Sequence, residues 1–395
     1  MIYPLENIKV LDLTRVLAGP YATMILGDLG ADIIKVDMPV IGDDARHFGP
    51  YMNSESAYFM SLNRNKRSIT LNLKTEKGKQ VLVEMVKKVD VIVENFRPGT
   101  MEKLGLGYED LKKINPKLIY AASSGYGHTG PYSKRAAYDA VVQAMGGLMS
   151  ITGKEGGEPT RVGTSVGDIT AGLFTTIGIL AAINSRNETG KGQKVDVAML
   201  DCQVAILENA ISRYVVTGEI PAPGGNKHPS IVPFEPFETV DGQIMVAAGN
   251  DVLWSNFCKA IDTYPLCEDE RFATNPLRAK NYDELRPLLG EAMKVKTTQE
   301  WQDILDEAGV PNGPINTIDK VVADPQVIAR EMIMEIDHPV SGKLKVPGIP
   351  IKLSDTPGDI RMTSPLLGQH TEEILKELLN YDDAKIDELK KENIF

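Results

Sequence analysis

The chain has 395 residues, 42% of them hydrophobic and 25% charged, and contains no low-complexity tract, a composition typical of a soluble globular protein rather than a disordered or fibrous one. Because single hydrophobic cores stop growing near about 250–300 residues, we expect two domains. The excess of 54 acidic over 43 basic residues gives a net charge of −11. This charge disfavours nucleic acid and anionic membranes as partners, and a ligand that carries phosphates needs a local basic patch.

The first 205 residues alternate short apolar runs with amphipathic helical stretches. The predicted strands are "IKVLDL", "ADIIKVD", "SITLNL", "DVIVEN" and "KLIYAASS", and the predicted helices are "GPYATMILGDLG", "KTEKGKQVLVEMVKKV" and "YEDLKKIN". Strands separated by helices of this length favour parallel βαβ units. We therefore predict an α/β fold, with a large Rossmann-like domain and a parallel sheet over residues 1–205.

A change of composition marks the end of this domain. Residues 206–235 include the proline- and glycine-rich stretch "VVTGEIPAPGGNKHPSIVPFEP" and are predicted to be a linker. Residues 236–315 read as a smaller α+β domain that opens with the hairpin "FETVDGQIMVAAG", and residues 316–324 begin a return linker. Residues 325–395 are assigned to the large domain; they contain the linker-like "SGKLKVPGIPIKLSDTPG" and end in a pair of amphipathic helices.

The cysteine content and the apolar runs indicate in which cellular compartment the protein is expected. Cys202, Cys258 and Cys267 are an odd number without CxxC or Cys/His spacing, which argues against a disulfide framework and a zinc site. The longest nearly apolar run, Ile169 to Ile183, is shorter than the roughly 20 residues that cross a bilayer, so we interpret it as a buried helix. With no signal-peptide pattern at the N-terminus, we expect a cytoplasmic protein with no membrane or nucleic-acid partner.

A dinucleotide site is the first alternative to consider for a Rossmann-like start. Asp37 ends the second predicted strand, where an acid would hold a ribose hydroxyl. The turn after the first strand, however, carries Gly19 alone, followed by Pro20, and lacks the G-x-G-x-x-G fingerprint. We therefore disfavour a dehydrogenase.

Asp168, in "GTSVGDITAG", stands directly before the apolar run. An acid at a helix start is commonly an N-cap. The alternative is a covalent nucleophile whose carboxylate keeps a low pKa at the helix N-terminus, while Gly163, Gly167 and Gly172 give a bulky acyl group room to approach.

Other catalytic motifs are missing from the sequence. It has no G-x-S-x-G elbow, P-loop or H-E-x-x-H, and none of its five histidines has metal-ligand spacing. His47 and His128 stand in glycine- and proline-containing loops, where we expect surface or packing roles. We predict no metal site.

Several ordered blocks together resemble the class III CoA-transferases, the family of the formyl-CoA:oxalate and carnitine CoA-transferases. The resemblance runs over essentially the whole chain, in the blocks "LDLTRVLAGPYATMILGDLGADIIKVD", "SLNRNKRSITLNLK", "DVIVENFRPGTMEKLGLGYEDL", "SSGYGHTGPY", "AAYDAVVQAMGGLMSITG", "GDITAG", "TGKGQKVDVAMLD" and "PLLGQHTEEIL".

The resemblance implies a reaction and its nucleophile. The family's nucleophilic aspartate matches Asp168, which would attack an acyl-CoA thioester to form a mixed anhydride and then an aspartyl-CoA thioester on the way to a new acyl-CoA. Acyl-CoA and small carboxylic acids are then the substrates, and no permanently bound cofactor is needed. The resemblance also implies a homodimer of two interlocked chains.

The same resemblance implies a set of CoA contacts, with Tyr138 and Asp139 near the thioester end. The residues carried over are Val16, Leu17, Ala18, Leu71, Asn72, Lys74, Asn95, Phe96, Arg97, Lys103, Arg135, Tyr138 and Asp139. We also expect the cationic cluster "NRNKR", residues 63–67, to contact phosphate, since a chain of net charge −11 must concentrate cations where CoA binds.

Two positions depart from the family pattern. Where formyl-CoA transferases carry a run of glycines and a glutamine, this chain has "VAAGNDVLW", so its predicted substrate loop is Gly249 and Asn250, and the resemblance does not extend to formyl-CoA and oxalate as substrates. A lysine expected before the "YD" block is replaced by Ala136, with Arg135 beside it.

Two rival functions remain open at this point. The α-methylacyl-CoA racemases, which resemble these transferases, need a histidine where this chain has Tyr138. A noncatalytic CoA-binding protein is the other alternative, in which Asp168 would only cap its helix.

Overall fold

The computed structural model describes residues 2–395; Met1, where the predicted first domain begins, lies outside the described residues. The chain divides into two compact units. The first comprises the residues up to Met149 together with Arg161–Thr217 and Gln326–Phe395, and the second comprises Ser150–Thr160 and Gly218–Pro325. Residues 150–160 thus belong to the second unit, and the first unit continues to Thr217, past the predicted limit at 205.

The strands are numbered in chain order. They are β1 (Lys9–Asp12), β2 (Asp32–Asp37), β3 (Tyr51–Met52), β4 (Glu55–Ser56), β5 (Lys66–Thr70), β6 (Val91–Glu94), β7 (Ile119–Ser124), β8 (Lys194–Ala198), β9 (Phe234–Glu238), β10 (Gln243–Ala247), β11 (Asn312–Pro314), β12 (Ile333–His338) and β13 (Gly342–Pro347).

The helices follow the same order. They are α1 (Ala18–Asp28), α2 (Ala57–Leu62), α3 (Glu76–Val86), α4 (Thr100–Lys103), α5 (Tyr108–Ile114), α6 (Asp139–Met145), α7 (Leu148–Ile151), α8 (Val166–Thr189), α9 (Met199–Ala205), α10 (Asn209–Thr217), α11 (Asp251–Ala260), α12 (Pro265–Glu268), α13 (Asn275–Lys280), α14 (Tyr282–Met293), α15 (Thr298–Glu307), α16 (Ile318–Ala323), α17 (Pro325–Ala329), α18 (Thr371–Leu379) and α19 (Asp383–Lys391). A short 3₁₀ helix covers Asp44–His47.

A parallel sheet forms the centre of the first unit. Within residues 2–395 its six strands have the order β5-β2-β1-β6-β7-β8, and every neighbouring pair is parallel. The predicted α/β class with a parallel sheet is therefore confirmed.

The sheet is covered on both faces, which explains the unbroken apolar runs of its strands. Along β1 and β2, Leu11 and Ile34 point into a core shared with α3, α5, α18 and α19. Their neighbours Val10 and Ile33 point into a second core, which contains side chains of α1 and α8. The charged C-terminal helices thus bury their apolar stripes on the first face.

Helix α8 was predicted as a buried helix, and it is longer than the apolar run suggested. By length and composition alone it could cross a membrane, yet half of its most apolar stretch is buried inside the protein, as in core helices of folded domains. Its buried side contacts α1 and the sheet through Ile179, Ala182 and Ile183.

The second unit has its own core. Strands β9 and β10 form the predicted antiparallel hairpin, β11 pairs with β10, and the sheet packs against α11, α14 and α15 around Trp254 and Trp301.

Two segments expected to be linkers contain regular structure. Strand β13 lies in the stretch predicted as linker-like and pairs with β12. Helix α10 occupies 209–217, inside the predicted linker 206–235. In the first segment the alternation in "GKLKVP" was hidden by the glycines and prolines that flank it.

Candidate active site

Two adjoining clefts open in the first unit beside the carboxyl ends of the parallel strands, the usual position for ligands in an open α/β sheet. The Asp168 cleft, of about 490 Å³, is lined by Arg15, Val16, Leu17, Ala18, Asp44, Asn95, Phe96, Arg97, Pro98, Thr100, Ser123, Ser124, Gly125, Arg135, Ala136, Ala137, Tyr138, Asp168 and Met199. The Lys103 cleft, of about 400 Å³, is lined by Leu13, Arg15, Val36, Asp37, Met38, Gly42, Leu71, Asn72, Leu73, Lys74, Phe96, Thr100, Lys103 and Leu104.

Arg15, Phe96 and Thr100 line both clefts and so join them. Most of the predicted site residues therefore lie along one continuous surface. Val16 to Ala18, Asn95 to Arg97, Arg135 and Tyr138 share the first cleft with Asp168, while Leu71, Asn72, Lys74 and Lys103 line the second.

Asp168 is the third residue of α8, and the N-cap is Ser165. The prediction that Asp168 caps the helix and keeps a low pKa was wrong. Burial of the carboxyl, followed by the negative charge of Asp139, raises the pKa of Asp168 to about 7, and the backbone N–H of Ala18, which faces the carboxylate, only partly opposes this. Desolvation outweighs the helix terminus here because, among residues 2–395, no cation forms an ion pair with Asp168 that would offset it.

Asp139 is fixed beside Asp168 by hydrogen bonds of its own. Its Oδ1 accepts the N–H of Gly167 at 2.8 Å, and its Oδ2 accepts Nε2 of Gln143 at 2.8 Å. Because one carboxylate is fixed against the helix turn that carries the other, the two negative charges remain close, as the raised pKa of Asp168 requires.

Two of the three glycines near Asp168, Gly167 and Gly172, have a packing role. A Cβ on Gly167 would meet Val142 at 2.8 Å, and a Cβ on Gly172 would meet the carbonyl oxygen of Ala18 at 2.8 Å, whereas Gly163 faces open space. Gly167 and Gly172 therefore let α6 and α1 pack closely on α8, rather than clearing space for an acyl group. This packing at Gly172 brings Ala18 next to Asp168.

Tyr58, on α2, belongs to the same electrostatic environment and was missed in the sequence. Burial, followed by the negative charges of Asp168, Asp43 and Asp139, raises the pKa of Tyr58 to about 12. Its phenol therefore stays protonated and able to donate a hydrogen bond. No local pattern marks Tyr58, since α2 and α8 are more than a hundred residues apart in the sequence.

The "NRNKR" cluster is not a phosphate site, contrary to the prediction. Arg64 is buried and pairs with Asp28 at 2.7 Å, and Lys66 is buried and pairs with Asp12 at 2.9 Å. Arg67 is held by Asp32, Glu373 and Glu377, each at 2.8 Å. These cations neutralise acids within the fold and are unavailable to a ligand.

Other cations of the clefts remain exposed. Within residues 2–395, the side chains of Lys74, Arg97 and Lys103 form no ion pair. Arg15 has only an exposed pair with Asp44 at 3.3 Å, and its guanidinium lies 5.2 Å from the ring centre of Phe96. The two clefts thus carry exposed positive charge, and a role of these residues in binding phosphate stays a prediction.

Arg135 and Tyr138 complete the rim of the Asp168 cleft. The Arg135 guanidinium lies over the rings of Tyr126 and Tyr132, at 5.7 and 4.7 Å from their centres. Tyr138 is 77% exposed and precedes α6, so its side chain is free to contact a ligand.

Gly249 and Asn250, the predicted substrate loop, belong to the second unit and are not among the residues that line the two clefts. Asn250 is the N-cap of α11, and its side chain accepts the N–H of Leu253 at 2.9 Å. Asn250 thus caps a helix of its own unit, and the role of both residues as a substrate loop stays a prediction.

The histidines singled out in the sequence lie outside the lining of both clefts. His128 accepts Nζ of Lys194 at 2.9 Å through Nδ1, and His47 contacts the carbonyl oxygen of Ile41 at 3.0 Å. In the described part of the chain, no group of three His, Cys, Asp or Glu side chains is placed to hold a metal ion.

Comparison with known proteins gives a consistent result. A family model described as CoA-transferase family III matches residues 5–371. A succinyl-CoA:glutarate CoA-transferase of Homo sapiens is 46% identical over 389 residues, which cover 98% of this chain and 89% of that protein. An acetyl-CoA:oxalate CoA-transferase of Acetobacter aceti is 44% identical, with 95% of each chain covered.

A solved structure agrees with the fold. The crystal structure of a CAIB/BAIF family protein from Brucella suis, 42% identical in sequence, superimposes with a TM-score of 0.85 and covers 96% of this chain and 100% of that chain.

The raised pKa of Asp168 predicts that this residue destabilises the protein at neutral pH. Between about pH 4 and 7 the unfolded chain releases this proton while the folded chain retains it, so stability falls as pH rises through this window. We expect Asp168→Asn to raise the melting temperature more at pH 8 than at pH 4.5, measured by calorimetry at both values. An equal change at the two pH values would contradict the raised pKa.

Proposed function

The chain belongs to CoA-transferase family III, as its sequence motifs predicted, and on that premise we propose that it transfers CoA from an acyl-CoA thioester to a carboxylic acid through covalent intermediates on Asp168. One observation carries the proposal: Asp168 opens into a cleft that continues to exposed, unpaired cations. A nucleophile for the thioester and a path for the CoA phosphates thus adjoin each other.

The proposed reaction balances without any further reactant. The Asp168 carboxylate attacks the thioester carbonyl, giving a mixed anhydride and CoA thiolate. The thiolate attacks the Asp168 carbonyl, which releases the donor acid and leaves an aspartyl-CoA thioester. The acceptor carboxylate displaces CoA to form a second anhydride, and CoA attacks the acceptor carbonyl to give the new acyl-CoA and free Asp168. Since one thioester replaces another, we propose that no permanently bound cofactor takes part.

The backbone beside Asp168 supplies hydrogen-bond donors for this chemistry. The N–H of Ala18 faces the carboxylate, so it is placed to stabilise the oxyanions that form on Asp168 in the thioester and anhydride steps. A pKa of about 7 also makes Asp168 a stronger base and nucleophile than an ordinary aspartate once it ionises, and an equally poorer leaving group in the anhydride.

We propose short dicarboxylic acids as donor and acceptor. The similar proteins are named for succinate, glutarate and oxalate, all dicarboxylic acids. When one carboxylate reacts at Asp168, the second needs a cation, and Arg15, Arg97 and Arg135 line the same cleft.

The racemase alternative finds no support in the site. A racemase needs a histidine at the α-carbon, and no histidine lines either cleft among the described residues.

We propose a cytoplasmic location, supported by three free cysteines within residues 2–395.

Chemical trapping tests the nucleophile. After incubation with succinyl-CoA, we expect hydroxylamine or borohydride to modify the peptide that contains Asp168, because both reagents attack anhydrides and thioesters. Mass spectrometry of the digest locates the modification. Asp168→Asn should give no adduct and lose at least about 10³-fold in activity, while Asp201→Asn, on α9 outside both clefts, is the matched control. Deuterium exchange at the α-carbon without an adduct would instead indicate a racemase.

The CoA path is tested by removing its cations. We expect Lys74→Ala and Lys103→Ala each to raise KM for acyl-CoA about 2- to 5-fold with kcat nearly unchanged, as befits exposed ion pairs of ~0.5–1 kcal/mol. Lys113→Ala, an exposed lysine of α5 outside both clefts, is the control. If KM for acyl-CoA in Lys74→Ala and Lys103→Ala equals KM in the Lys113→Ala control, Lys74 and Lys103 do not contact CoA.

We also propose a homodimer, with the interlocked chains that the family resemblance implies. Helix α8 leaves Leu173, Phe174 and Ile177 exposed, and α10 leaves Val215 and Val216 exposed, at 73% and 83%. Exposed apolar faces of this kind are typical of subunit interfaces. Sedimentation on serial dilution should retain a species of two 43.2-kDa chains, and a stable, active monomer would contradict the dimer.

A further inference from the structure

Val16 adopts a backbone conformation that β-branched residues avoid. Its φ angle is +68°, in the left-handed region. This conformation is strained for a β-branched residue, so the surrounding structure must hold it in place. Val16 stands two residues before Ala18, whose N–H faces Asp168.

The residue that holds Val16 is Asp43. The Asp43 side chain is fully buried, and its Oδ1 accepts the N–H of Val16 at 3.0 Å and that of Ala45 at 2.9 Å. Its Oδ2 accepts Nζ of Lys35 at 2.8 Å, and the Lys35 side chain is also fully buried. A buried ion pair of this kind is strongly constrained in position, because breaking it would leave an uncompensated charge.

The same lysine anchors the other side of the turn. Nζ of Lys35 donates to the carbonyl oxygen of Thr14 at 2.8 Å. Between these anchors, the N–H and carbonyl oxygen of Arg15 are bound by the Asn95 side chain at 2.8 and 2.7 Å. Side chains thus bind the backbone of three consecutive residues, 14 to 16.

The charge state of the pair is secure. Burial alone would raise the pKa of Asp43, but Lys35 and the two backbone N–H groups bring it below its usual value. Burial likewise opposes the charge of Lys35, and the surrounding acids Asp37, Asp43 and Asp12 raise its pKa. Both partners therefore remain ionised wherever Asp168 titrates.

We propose that Asp43, fixed by Lys35, is a positioning residue for the transfer reaction: it holds Val16 in the left-handed conformation so that the N–H of Ala18 points at Asp168. The inference rests on the proposed role of Asp168 as the nucleophile. The absence of a Cβ on Gly172 permits the approach of Ala18 to α8, and Asp43 sets the direction in which the backbone arrives.

The test is Asp43→Asn in the full-length protein. We expect kcat to fall about 10- to 100-fold, as for a misplaced donor, with a smaller change in KM for acyl-CoA. The acidic limb of kcat/KM should move to higher pH, because Asp168 loses a hydrogen bond that lowers its pKa. The groups that face Asp168 are the carboxylate of Asp139, the phenol of Tyr58 and the backbone N–H of Ala18, and Asp43 is not among them. A shift of the acidic limb in Asp43→Asn therefore reports a changed position of the Ala18 N–H.

Asp28→Asn is the matched control. It breaks an equally buried pair, with Arg64, in the same unit and away from residues 14–18. We expect a comparable fall in melting temperature, with kcat and the acidic limb unchanged. If Asp43→Asn behaves in the same way, Asp43 has only a structural role and the inference is overturned.

Val16→Gly provides the second comparison, since glycine adopts a positive φ without strain. The loss of kcat caused by Asp43→Asn should be smaller in the Val16→Gly background than in the wild type. An equal loss in both backgrounds would contradict the inference. Should Asp43→Asn not fold, Asp43→Glu replaces it: the longer side chain keeps the charge beside Lys35 but displaces the acceptor of the Val16 N–H, and an unchanged kcat and acidic limb would overturn the proposal.

Trapping with hydroxylamine separates this inference from the proposed function. The absence of an adduct on wild-type Asp168 would refute the nucleophile itself. An adduct that forms at the same rate in the wild type and in Asp43→Asn would refute only the positioning role.

Discussion

The rest of the site depends on one constraint: Asp168, at the partly buried start of α8, has no cation that neutralises its charge. In the described part of the chain Asp168 forms no ion pair, and burial together with Asp139 raises its pKa to about 7. A structural aspartate would be paired, as Asp12, Asp28 and Asp43 are. Leaving Asp168 unpaired reduces stability, and that cost is explained if the carboxylate must be free to attack a carbonyl carbon.

The elements around Asp168 are packed closely against the start of α8 and hold its carboxylate in place. Gly167 allows α6 to bring Asp139 against α8, and Gly172 allows α1 to bring Ala18 to the same place. The loop before α1 is in turn fixed by the buried ion pair of Lys35 and Asp43, whose side chains bind the backbone of Thr14 and Val16. The exposed cations Lys74, Arg97 and Lys103 line the two joined clefts, and none of them forms an ion pair with Asp168 in the described part of the chain.

The sequence predicted those features that depend on neighbouring residues. The strands of the sheet were recognisable because both of their faces are buried, which makes each of them an unbroken apolar run. Ordered motifs identified the family, and the same motifs predict Asp168 as the nucleophile. The same local signals misled where glycine and proline surround a short strand, as at β13.

Features that depend on distant residues were not predictable. The cations of "NRNKR" seemed available to phosphate because Asp12 and Asp28, which pair with Lys66 and Arg64, are about 36 to 54 residues away. The pKa of Asp168 was predicted to be low, but it is raised. The helix terminus, which lowers a pKa, is visible in the sequence, whereas the burial of Asp168 and the fixed charge of Asp139 arise only from packing. Tyr58 enters the site for the same reason.

Isotope transfer tests the central claim, that Asp168 forms a covalent bond with both acids, most directly. With an acceptor acid carrying ¹⁸O in its carboxylate, each turnover leaves one labelled oxygen on Asp168, and from the second turnover onward that oxygen departs with the released donor acid. The account predicts ¹⁸O in the donor acid and in the Asp168 peptide, measured by mass spectrometry in unlabelled water. Product formation with no label in either place would contradict it.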